Sequence, residues 1–180
     1  MKKYTVISYL ALLLLSGSCK KEETVPAYPV GKGKITGTTS NGISFTVEGA
    51  NTFLYVTRTS LSGWGDKDDL IIYAAIDLSI GRHFSIWMGG YENKSGIYNL
   101  NINAGEDRDD MTFTQEFNPI QVEYRLFNPS GGTNPQVHIT RKTGNYIEGT
   151  YFARLRNPVN GNPEEISIEG SFQGNLEIRE

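Results

Sequence analysis

The chain has 180 residues and a formal net charge of −3, with 20 Gly, 10 Tyr, 8 Phe and a single Cys. That length holds one domain, and mild acidity spread along it argues against nucleic acid or an anionic lipid surface as partner. A lone cysteine cannot form an intramolecular disulfide, so the fold must rest on its core alone.

Lys2 and Lys3 precede an apolar run from Val6 to Leu15, broken only by Ser8 and Tyr9. A membrane-crossing helix needs about 20 apolar residues, so this run is too short to span. It reads as the core of a secretory signal peptide, residues 1–18. Ser16-Gly17-Ser18-Cys19 then resembles the lipobox of bacterial lipoproteins, with Ser16 where Leu is commonest. The resemblance implies cleavage before Cys19, a diacylglyceryl group on its sulfur and an acylated amine. Each buried methylene is worth ~0.8 kcal/mol, so two or three acyl chains would make anchoring to the membrane effectively permanent. Lys20-Lys21-Glu22-Glu23 resembles the export signal of surface lipoproteins of Bacteroidota, which implies the outer membrane and its cell-surface side.

Residues 19–33 form the acylated cysteine and a tether, since Thr24 to Gly33 carries Pro26, Pro29 and two glycines with few apolar residues. Residues 34–180 form a single β domain. Lys34 to Thr39 and Ile43 to Glu48 flank Ser40-Asn41-Gly42, and Asn-Gly predicts a type I′ hairpin turn. Asn51 to Thr59 sets Phe53 and Tyr55 opposite Leu54 and Val56. A loop of Gly, Asp and Trp64 precedes Leu70 to Leu78, which is apolar on both faces and predicts a central strand covered on both sides. In Arg82 to Met88, Phe84, Ile86 and Met88 point inward, and His83, Ser85 and Trp87 outward.

Gly96 to Ile102, Met111 to Phe117, Ile120 to Phe127, Val137 to Lys142 and Tyr146 to Arg156 continue the alternation. In Glu165 to Ile178 the apolar residues Ile166, Ile168, Phe172, Leu176 and Ile178 keep one phase. No sustained helical periodicity occurs. About ten short strands with hairpin-length connections predict an all-β antiparallel sandwich, with a lipocalin-like β-barrel as the alternative. Gly144 to Tyr151 and Ile166 to Phe172 resemble the closing strands of uncharacterised β-rich lipoproteins of Bacteroidota, which implies the β fold and surface location and no particular activity.

Function is written less plainly. The acidic stretches Asp66 to Asp69 and Glu106 to Asp110 lack EF-hand spacing and read as charged hairpin tips, so no metal is expected. His83 and His138, the only histidines, fall on outward phases and are too few for a zinc site. No G-x-S-x-G elbow occurs, so no catalytic residue is assigned, and no cofactor. Trp64, Trp87 and Tyr91 could form an aromatic platform for a sugar face. The expected function is a non-catalytic, membrane-anchored surface lipoprotein that binds a glycan, a small ligand or an outer-membrane partner. The alternative is a carbohydrate-active enzyme with paired carboxylates in a groove.

Overall fold

A computed structural model describes residues 25–59, 67–100, 109–116, 122–127, 134–157 and 163–179. Cys19 and Trp64 lie outside these residues. Alternation of apolar and polar residues gives strands, because successive side chains on a strand point to opposite faces. Twelve are described: β1 (Gly33–Thr39), β2 (Ser44–Glu48), β3 (Thr52–Thr59), β4 (Lys67–Asp77), β5 (Arg82–Tyr91), β6 (Gly96–Asn99), β7 (Asp110–Glu116), β8 (Val122–Leu126), β9 (Gln136–Thr143), β10 (Tyr146–Arg156), β11 (Glu165–Asn175) and β12 (Glu177–Arg179). A 3₁₀ turn, Gly49–Asn51, leads β2 into β3. No α-helix occurs among the described residues.

The strands form one sheet in the order β12-β3-β4-β5-β7-β8-β10-β11-β1-β2, with β9 beside β10 and β6 beside β9. The pairs are antiparallel except β3 with β12. The terminal strands β12 and β2 are not paired with each other, so the ladder is not closed into a barrel. The sheet folds over on itself as an all-β sandwich around one core.

Phe45 of β2 reaches across that core to Phe84 of β5 and Phe113 of β7, with ring centroids at 5.7 Å and 6.2 Å. Phe84 stacks on Tyr151 of β10 at 4.7 Å. Each large apolar side chain removed from water contributes about 1.5–3 kcal/mol, and these rings tie both halves of the sheet together.

Four features depart from the expectations. The β1–β2 connection is a loop of Ser40, Asn41 and Gly42 in which only Gly42 has positive φ, at 90°, so the turn is not type I′. A three-residue loop closes on a left-handed glycine alone and asks nothing unusual of Asn41. Among the described residues the outer face of β4 is covered only in part: Ala75 is buried, but Ile71 and Tyr73 are half-buried and no described element packs over them. The phase of the last strand also breaks. Leu176 is buried, but there the chain leaves β11 and pairs with β3 as β12, which leaves Ile178 52% exposed.

The fourth departure concerns the stretch read as tether, which is pinned to the domain at its far end. Gln173 Nε2 donates to the Tyr28 hydroxyl at 2.8 Å, and Gly31 N donates to Asn175 O at 2.8 Å. Leu54 N donates to Gly31 O at 3.0 Å. The folded body therefore takes in Tyr28 to Gly33.

One dent in the sheet has a local cause. Gly37 and Gly170 are paired neighbours on β1 and β11. A Cβ on Gly37 would lie 2.5 Å from the Tyr151 hydroxyl, and one on Gly170 would lie 2.0 Å from Thr36 O. Without those carbons the backbone sinks onto Tyr151, whose hydroxyl donates to Thr36 O at 2.7 Å.

Candidate functional site

Register carries the outward residues of β3, β4 and β5 into rows. Tyr55 pairs with Ile71 and Ile71 with Trp87; Phe53 pairs with Tyr73 and Tyr73 with Ser85. Directly paired side chains on one face lie close enough to touch. The result is a solvent-facing patch of Trp87, Ile71, Tyr55, Tyr73 and Phe53, in which Trp87 is 48% and Phe53 38% exposed. Phe53 and Tyr73 meet at 5.9 Å with their rings tilted by 56°, and Tyr73 stacks on His83 at 5.6 Å.

Two cations border the patch. Lys32 Nζ sits 3.6 Å over the Phe53 ring while donating to Thr52 O at 3.0 Å. The Arg179 guanidinium lies 3.8 Å over the ring of Tyr55. Asp110 pairs with Trp87 from β7, and burial pushes its carboxyl above the usual range despite the nearby Arg125. Burial likewise raises the Tyr73 phenol.

The sequence-predicted aromatic residues do not all meet here. Trp87 points outward as expected. Tyr91 does not join it: at 3% exposure it belongs to the core, against Tyr98 at 5.7 Å. The reason is a bulge. Asp68 pairs with Tyr91 and Leu70 with Met88, so Gly89 and Gly90 together oppose Asp69, and Gly90 has φ of 67°. One extra residue inverts the side-chain phase, turning Tyr91 inward. Its hydroxyl has no hydrogen-bond partner among the described residues, and burial raises its pKa.

Phe53, Tyr55, Ile71 and Tyr73 join the site through strand pairing that no local sequence signal carries. Their outward phases were readable, but which strands stand side by side was not. His83 takes a structural role: its Nδ1 lies 2.9 Å from Gly81 O, which can only accept, so Nδ1 carries a proton, and its Nε2 lies within hydrogen-bond distance of Thr114 Oγ1, at 3.1 Å. His138 is exposed on β9, remote in the sheet order from His83 on β5. No group of three or more His, Cys, Asp or Glu that could hold a metal occurs among the described residues.

A second surface lies on the outer face of the other half of the sheet. A depression of about 770 Å³ spans β2, β1, β11, β10 and β9, above the Gly37–Gly170 dent. Its walls include Thr38, Ser44, Gln136, His138, Phe152 and Glu169. Glu169 is the single carboxylate among them.

No family model matches the chain, and neither does any curated protein or solved structure.

Proposed function

We propose that this protein is a non-catalytic binding protein, held at the outer membrane by acyl chains on Cys19 and facing the cell exterior. In this reading the aromatic face of β3, β4 and β5 contacts an extended glycan. One observation carries it: Trp87, Ile71, Tyr73 and Phe53 form a continuous patch that serves no described core contact, although exposed aromatic area is costly. Flat rings stack on the C–H faces of sugars, and sheet spacing sets successive rings along a chain of sugar units. The paired-carboxylate alternative draws no such support, because the depression on the other half is lined by one carboxylate, Glu169.

The test is retention of the full-length protein, in detergent micelles, on immobilised neutral polysaccharides. The double substitution Trp87→Ala, Phe53→Ala is expected to weaken retention at least tenfold while leaving Tm nearly unchanged, since both rings are substantially exposed. Equal retention of the double variant and the native protein would sink the reading.

A further inference from the structure

The polar depression is built on a lattice that the aromatic face does not share. Register aligns Ser44, Thr38, Glu169, Phe152 and Gln136 in one row across five strands. The next row holds Thr46, Thr36, Ser171, Thr150 and His138. Thr36 and Ser171 hydroxyls pair at 2.9 Å, and Thr38 and Ser44 at 3.2 Å, with either oxygen able to donate. Such pairs keep lone pairs and a reversible donor direction for a ligand. Glu169 is exposed, and its carboxylate makes no hydrogen bond or ion pair with any described residue.

We infer that this depression is a second binding site, for a short neutral saccharide. The chemistry selects that class. A carboxylate accepts from two adjacent hydroxyls of one ring, and charge-assisted bonds are the strong ones. Gln136 donates and accepts, the hydroxyl pairs do both, and half-buried Phe152 offers a ring for the C–H face of a sugar. No Lys or Arg lines the depression, so Glu169 repels an anionic ligand unopposed. The volume lies within the ~300–1,000 Å³ typical of small-molecule sites. The dent over Gly37 and Gly170 gives the outer face its concavity, and nothing in the core needs the polar side chains that surround it. The site uses no residue of the aromatic face.

The full-length protein in detergent micelles would be titrated calorimetrically with maltotriose, cellotriose and mannotriose, and with trigalacturonate as the anionic counterpart. At least one neutral trisaccharide is expected to bind, and trigalacturonate is not. Glu169→Ala should lower affinity for the bound trisaccharide about tenfold or more, the usual scale for losing a hydrogen bond to a charged group. Gln136→Ala should lower it less, and Trp87→Ala with Phe53→Ala should leave it unchanged. Failure of every neutral trisaccharide to bind, or binding by Glu169→Ala equal to the native protein, overturns the site. Loss of trisaccharide binding in the ring variant alone overturns it too, while leaving the aromatic face standing as the glycan contact. Retention on polysaccharide unaffected by the ring variant, with trisaccharide binding lost in Glu169→Ala, reverses that outcome.

Discussion

A single carboxyl group reports how the aromatic face is built. Asp110 pairs with Trp87 and is held partly out of water, and burial outweighs both the attraction of Arg125 and the hydrogen bond from Thr112. Its folded pKa is therefore raised above the unfolded value, so the folded state binds the proton more tightly. Stability from this group is fully present below the ordinary Asp value of ~3.9 and is lost as pH rises through the raised folded value. At neutral pH the charge is thus a liability. Asp110→Asn is expected to raise Tm at pH 7 by a few degrees at most, and the gain should shrink toward zero as pH falls below about 4. Melting curves of both proteins across that range check it. A gain that stays constant with pH would show that ionisation is not its origin.

Between strands, the decisive residues are those that carry no side chain. Gly170 and its neighbour Ser171 occupy consecutive positions on β11 but face opposite ways. Gly170→Ala would place a carbon 2.0 Å from Thr36 O and 2.5 Å from the Tyr151 hydroxyl. Overpacking of this kind costs about 1–3 kcal/mol, and contact with backbone sets it at the upper end. Ser171→Ala removes only its hydrogen bond to Thr36, worth about 1 kcal/mol at most on an exposed face. Urea denaturation should rank the two variants in that order.

The same contrast explains what could be read from the sequence. Alternation fixed the course of β1, β2, β9 and β10 to within a residue at each end, and it placed Phe45, Phe84, Ile86 and Ile168 in the core correctly. By contrast, β5 runs on to Tyr91, three residues past its expected end at Met88. It failed where one residue changes the phase: at Gly89–Gly90, which turns Tyr91 inward, and after Leu176, which leaves Ile178 outside. Trp87 was legible as an outward ring, whereas its row with Ile71 and Tyr55 was not, nor was the lattice around Glu169. Pairing register is a property of strands far apart in sequence, and a period of two says nothing about which strands meet.

On the scale of the whole molecule, the proposed anchor and the body are close together. Only the segment between Cys19 and Tyr28 separates the proposed acylation site from a described residue bonded to the domain. At ~3.3–3.6 Å per extended residue, an anchor on Cys19 would keep the domain within roughly 30 Å of the lipid. Cys19→Ser is expected to abolish labelling by a fatty-acid analogue and to release the protein from the membrane fraction. Undiminished labelling of that variant would refute the anchor.

The long-range pairing of β1 has a consequence for the order in which this chain can acquire structure. Thr36 meets Ser171 across 135 positions, Tyr28 meets Gln173 across 145, and β3 receives β12. An early segment therefore emerges with only its hairpin partner β2 to hold it, and two such strands are marginal in water. Native closure waits for the residues near 170, and high contact order makes that closure slow. With this wiring the local hairpins β3–β4 and β4–β5 can pair early, whereas β1 and β3 each lack one neighbour until β11 and β12 have been delivered.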